Sequence, residues 1–186
     1  MKRTLLLIAV IVIVGALPVF WQYGTFMICT DYMRQQIPFI METKRMLESG
    51  TPFWSWNTYV GDNFWAGYAF YSLTSPFVWL VALLPYRCIV HGLFFTLVLK
   101  YMCAFATSYA YIRKMGVGKQ NSRIGGLMYC FSSYAITNSF YYHFFEPLIV
   151  FPLLLLSIER FIRSERYSMT TLTLAAFAVA FVNYYF

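Results

Sequence analysis

Long apolar runs recur along this chain, at Thr4–Gln22, Ile89–Ile112, Ile124–Phe140, Pro147–Ile162 and Met169–Phe186. A bilayer's hydrocarbon core is crossed by about 20 apolar residues in helical form. In that medium backbone groups must pair within the segment, so each run is expected to be a helix. Composition agrees: the chain is 60% hydrophobic and 11% charged, against about 25% charged in ordinary soluble domains. The fold class that follows is an all-α polytopic membrane protein. The net charge of +7 does not call for nucleic acid, because the basic residues gather in short clusters beside the apolar runs, where membrane topology accounts for them.

Charge placement sets the orientation. Lys2 and Arg3 precede the first run, which is read as a retained helix with its N-terminus in the cytoplasm; a cleaved signal peptide is the alternative. Against cleavage, the run has no good small-x-small site and continues through Pro18, Phe20 and Trp21. The short apolar stretch Ser72–Pro85 decides the rest. If it crossed the membrane, the clusters Arg113-Lys114, Lys119 and Arg123, and Arg160, Arg163 and Arg166, would all lie outside, against the positive-inside tendency. It is therefore placed at the outer surface, or dipping in and returning. This makes residues 23–88 one large outer loop, with Trp21 and Tyr23 at an outer interface and Tyr109 and Tyr111 at an inner one.

With that topology the polar groups face outward: Asp31 to Tyr71, Arg87 and His91, the short loop Tyr141–Glu146, and Asn183-Tyr184-Tyr185. The first of these segments has internal logic. Thr30 or Asp31 can cap a helix that runs to about Glu48 and ends at Ser49-Gly50. Helical spacing puts Asp31, Arg34, Gln35, Glu42 and Arg45 on one stripe, and Met33, Ile37, Ile40, Met41 and Leu47 on the other. Pro38 kinks this helix unless it lies near the start. A helix of this kind lies on the membrane surface. The turn-rich residues that follow carry Trp54, Trp56 and Asn57, with aromatics suited to a membrane interface or to a sugar face. Cys29, Cys88, Cys103 and Cys130 show no metal-ligand spacing. Cys103 and Cys130 lie in apolar runs as small core residues, and a Cys29–Cys88 disulfide stays open.

These residues also carry a resemblance. Asp31-x3-Gln35-x2-Pro38-Phe39, Gly50-x-Pro52-Phe53-Trp54-Ser55-Trp56-Asn57, Gly61-x-Asn63-Phe64 and Tyr71-x3-Ser75-Pro76-Phe77 resemble the YfhO family of bacterial membrane proteins. Leu99-Lys100, Phe131-Ser132-x-Tyr134, Phe151-Pro152-Leu153-Leu154-Leu155 with Ile158-Glu159-Arg160, and Asn183-Tyr184-Tyr185 continue it across essentially the whole chain. That family is similar to the C-type (GT-C) glycosyltransferases, which take sugars from polyprenyl-phosphate carriers on the outer membrane face. The resemblance implies a GT-C-like transmembrane module whose first outer loop carries amphipathic juxtamembrane helices. Its members are several times longer, so the sequence is expected to be an N-terminal fragment, inactive alone.

The resemblance further implies a plasma-membrane enzyme that moves a sugar to an envelope polymer, lipid or protein acceptor. Asp31 takes the position of the general base, and Glu146 that of a second acid, where the family typically has Asp. Arg34, Arg87 and Lys100 are candidates to stabilise the departing phosphate. Gln35, His143, Asn183, Trp54, Trp56 and Asn57 are candidate substrate contacts. A divalent cation, Mg or Mn, is held between acids in some relatives, with His143 and Glu146 as candidate ligands here; one His and scattered carboxylates do not make a metal site.

Each residue also has a plainer reading. Asp31 is alternatively a helix cap or an ion-pair partner of Arg34. Lys100 lies mid-span, where a charge costs about 2.5–3.5 kcal/mol on insertion scales, so it must face a cavity or a partner. Arg87 is equally a headgroup anchor, His91 an interfacial histidine, Asp62 a turn residue, Asn183 a packing residue between helices, and Trp54 and Trp56 belt residues. A transporter or lipid flippase, and a non-catalytic membrane assembly subunit, are the competing functional classes.

Overall fold

A computed structural model describes residues 1–26, 31–50, 53–58, 60–69 and 73–182. Asn183, Tyr184 and Tyr185, Tyr71, Thr30 as a cap, and Cys29 with its disulfide lie outside the described residues. The described chain is helical apart from one two-stranded ribbon, and it divides into two compact units. One comprises Met1–Ile13, Val98–Ser139 and Phe144–Phe186; the other comprises Val14–Leu97 and Phe140–His143.

The long apolar runs are helices. α1 spans Lys2–Tyr23 and α5 spans Ile89–Lys114, roughly 33 and 39 Å at 1.5 Å per residue, and both are long and apolar enough to cross a membrane. α8 (Glu146–Ile162) and α9 (Ser168–Val182) are shorter and pack against each other. The turn between them places Ser164 and Tyr167 at positive φ, where Glu165 meets Lys114 in a short ion pair and lies 3.9 Å from Arg160. The expected span 124–140 is not one helix. α6 (Lys119–Cys130) stops, and α7 (Ser133–Asn138) restarts, because the Ser132 hydroxyl caps α7 by accepting from the Ala135 N–H.

The second unit holds the segment between α1 and α5. It opens with a π-helical turn, Tyr32–Gln36, that runs into α2 (Ile37–Ser49). The wide turn suits Pro38: placed at the start of α2, its missing N–H falls where no intrahelical partner is needed. Gly50 ends α2 at φ 69°, the left-handed cap glycine tolerates best. The strands Trp54–Ser55 (β1) and Asp62–Asn63 (β2) pair antiparallel, Trp54 opposite Asn63 and Ser55 opposite Asp62. Asn63 then caps α3 (Phe64–Tyr68), its side chain accepting from Ala66 N–H. Ser75 caps α4 (Pro76–Ala82), with Pro76 in the first turn. α4 is only 7 residues long, about 10 Å, far short of a bilayer as a helix.

The faces of α2 differ from the expected stripes. Ile37 and Ile40 are buried as expected, but Met33, Met41 and Leu47 are exposed, and the buried face is completed by Tyr32, Gln36, Thr43 and Met46. The π turn is the physical reason. A wider turn resets the angular phase, so counting at 3.6 residues from Asp31 misplaces the positions around it. Cys130 is buried and Cys103 partly so, both as thiols, while Cys88 is an exposed thiol.

Candidate functional site

Asp31 stands at the head of the π turn, half-buried, with helical backbone angles. Its side chain makes no capping hydrogen bond, and among the described residues it forms no ion pair with Arg34. Both plain readings of Asp31 are thereby corrected: a residue already in the helical region cannot cap in the usual extended geometry.

The turn behind Asp31 is anchored by its buried neighbours. The Tyr32 ring meets Tyr142 edge-on at 6.2 Å between centroids. Gln36 Nε2 lies 3.1 Å from His143 Nδ1, and both side chains are buried. With the amide donating, Nδ1 is an acceptor and the proton of a neutral ring sits on Nε2. Tyr142 Oη is 2.8 Å from Thr96 Oγ1 on α5, which itself donates to the Leu93 carbonyl. Two segments far apart in sequence, Asp31–Gln36 and Tyr142-His143, are thus joined within one unit by an aromatic pair and a polar pair.

Gln36 is the buried neighbour of Asp31 that sequence reasoning missed. The family pattern pointed to Gln35, but Gln35 and Arg34 are exposed and Gln36 turns inward. Only the π turn decides which of two adjacent glutamines faces the protein. Arg87 is exposed on the short 3-10 turn Tyr86–Cys88 that leads into α5. His91, also exposed, sits on the rim of an apolar groove of about 430 Å³ with Leu80, Val81, Leu84 and Phe95.

Asn57 is engaged in architecture. Its Nδ2 donates to both carboxylate oxygens of Glu42, at 3.3 and 3.1 Å, and Ser55 Oγ donates to Oε1 at 2.6 Å. Glu42 therefore fastens the ribbon to α2. Trp54 and Trp56 meet edge-on at 5.5 Å and stay exposed. Gly61 makes their arrangement possible. It sits at φ 101°, and a Cβ there would stand 2.7 Å from the Trp56 ring. Asp62 accepts from the Asn63 N–H, as a turn residue does.

Lys100 and Glu146 belong to the other unit and change meaning there. Lys100 Nζ is 2.8 Å from Glu146 Oε1, with side-chain exposures of 0% and 2%. The mid-span lysine has its counter-charge within this chain, at the first residue of α8. A lipid phosphate is not needed to explain it, and Glu146 is buried against the ammonium. The donor set does not fit a divalent cation: among the described residues no three His, Cys, Asp or Glu side chains converge. His143 is turned to Gln36 and Glu146 to an ammonium.

The described chain is helical, with two helices long and apolar enough to cross a membrane, a buried ion pair and a folded amphipathic segment between α1 and α5. The family follows from comparison: the model for "Bacterial membrane protein YfhO" matches residues 4–186, and the chain belongs to that family. No curated protein and no solved structure matches it.

Proposed function

We propose that this protein serves as a membrane glycosyltransferase of the GT-C type, taking a sugar from a polyprenyl-phosphate carrier at the outer face of the plasma membrane. The observation that supports it is Asp31: a half-buried carboxylate at the head of the anchored turn, used neither as a cap nor in an ion pair with Arg34. In this reading Asp31 takes the proton of an acceptor hydroxyl as the oxygen attacks C1 of the sugar. The C1–O bond to polyprenyl phosphate breaks, the phosphate leaves with the bonding pair, and the anomeric configuration inverts. Arg34 and Arg87, both exposed in the same unit, are cations a departing phosphate can meet. Gln36 and His143 act as positioning residues that fix the turn carrying the base. The acceptor is an envelope polymer, lipid or protein.

The test is transfer of radiolabelled sugar from a polyprenyl-phosphate donor in membranes carrying the full-length protein, wild type against Asp31→Asn. A loss of about 10²-fold or more at equal abundance supports the base role. Equal transfer by both removes Asp31 from the chemistry while leaving the enzyme. Absence of transfer with every donor tried overturns the reading.

The buried Lys100–Glu146 pair favours one other function, a transporter or lipid flippase, because ionisable groups inside a membrane often mark a transport path. That reading requires the pair to exchange partners during a cycle.

A further inference from the structure

We propose that the ribbon β1–β2 is a membrane-interface anchor, inserting Trp54, Trp56 and the side chains beside them into the headgroup layer of the bilayer that α1 and α5 cross. The first support is exposure. Phe53 is 68% exposed, Trp56 76% and Val60 92%, on a loop with only two strand pairs behind it. Large apolar side chains gathered in this way mark a binding surface. No charged residue occurs from Ser49 to Gly61. Of the carboxylates beside it, Glu42 is turned inward to hold Ser55 and Asn57, and Asp62, exposed at the far edge of the ribbon, accepts from the Asn63 N–H. Tryptophan in particular favours the headgroup level, where the ring is apolar and the indole N–H stays wet.

The second support is connection to a place where the chain meets the membrane surface. Glu42 holds the ribbon, and on the same helix Glu48 accepts a 3.0 Å hydrogen bond from Tyr86 Oη, with the Lys44 ammonium 5.2 Å from the Tyr86 ring centre. Tyr86 lies in the turn that starts α5, a helix long and apolar enough to cross a membrane. Glu42 to Glu48 is about 9 Å along a helix, comparable with the roughly 6 Å depth of one headgroup layer. Side-chain contacts through α2 therefore connect the aromatic loop to the turn that starts α5. All these residues belong to one unit. The two indoles meet edge-on over Gly61 and so present their rings together.

The partner is the lipid surface, and it can be distinguished from a sugar or a second protein copy. The full chain is reconstituted in phosphatidylglycerol–phosphatidylcholine vesicles, with or without lipids brominated near the glycerol end of their chains. Tryptophan emission is recorded for wild type and for W54F/W56F, and the difference reports these two of the five tryptophans. The expected result is that brominated lipid removes about half or more of the difference signal while aqueous iodide quenches it weakly. Free quenching by iodide with no effect of bromine overturns the proposal. Shielding that is lost when protein is diluted into excess lipid assigns the loop to a second copy, and shielding that needs added glucose assigns it to a carbohydrate; either also overturns it. W56F alone gives the same readout should the double variant fold poorly, which unchanged emission of Trp21, Trp65 and Trp79 would exclude.

Discussion

The two units bury polar groups in opposite ways. Behind Asp31 the buried pair is neutral, Gln36 with His143, backed by Thr96 and Tyr142. In the other unit it is charged, Lys100 with Glu146. A neutral pair loses one hydrogen bond and strands one dipole when broken. A charged pair strands a full charge, and its own desolvation offsets most of the Coulombic gain. The charged pair is thus a poor source of net stability but a sensitive point, whereas the neutral pair tolerates change and serves mainly to hold a turn.

The comparison can be broken first at its strongest point. Lys100→Met or Glu146→Gln alone is expected to destabilise the protein by about 3–5 kcal/mol, whereas K100M/E146L recovers most of that loss. Thermal unfolding in detergent micelles measures it; single variants no worse than ordinary substitutions would show that the pair is not formed. Next, Gln36→Leu and His143→Leu should each cost about 1–3 kcal/mol, with the double variant close to either single one because both remove the same contact. Full additivity of the two would sink the pairing.

A smaller effect should follow at the ribbon. Gly61→Ala places a Cβ against Trp56 and forces a strained φ, with an expected cost of about 1 kcal/mol and a shift in tryptophan emission. An unchanged spectrum would contradict the packing of the two indoles.

The smallest effect lies at the exposed turn between α8 and α9, where the hydrogen bond from Lys114 holds the Glu165 carboxyl below the usual carboxylate range. The folded carboxyl stays ionised where the unfolded one already binds protons. Its contribution is therefore complete above the ordinary carboxylate range and disappears as pH falls through the depressed value. Salt should weaken it. In acid titrations of stability at low and high salt, Glu165→Gln should flatten only the low-salt curve.

Much of the family pattern turns out to specify architecture. Ser75-Pro76 is a cap followed by a first-turn proline, Ser132 caps α7, Asn63 caps α3 and Gly61 clears space for two tryptophans. Their turn-rich surroundings were legible at Gly61 and Asn63, but the caps were not read, and the span expected over 124–140 missed the break at Ser132, although a capping side chain lies within a few residues of the helix end it satisfies. The apolar face of α2 was only half legible, since the π turn shifted the phase on which the reading depended. Gln36 was missed for the same reason. The partner of Lys100 could be required from sequence but not named, because Glu146 is 46 residues away along the chain.

By itself, the sequence determined that the chain carries helices long and apolar enough to cross a membrane, where those helices run, and that a folded polar segment separates α1 from α5. Those properties follow from hydrophobicity and local backbone chemistry, both written in consecutive residues. Only the tertiary structure decided that Gln36 rather than Gln35 faces inward, that Tyr142 and His143 come to the turn behind Asp31, and that Lys100 spends its charge on Glu146. Such pairings depend on which helix faces meet across long stretches of chain, and that is set by packing rather than by spacing.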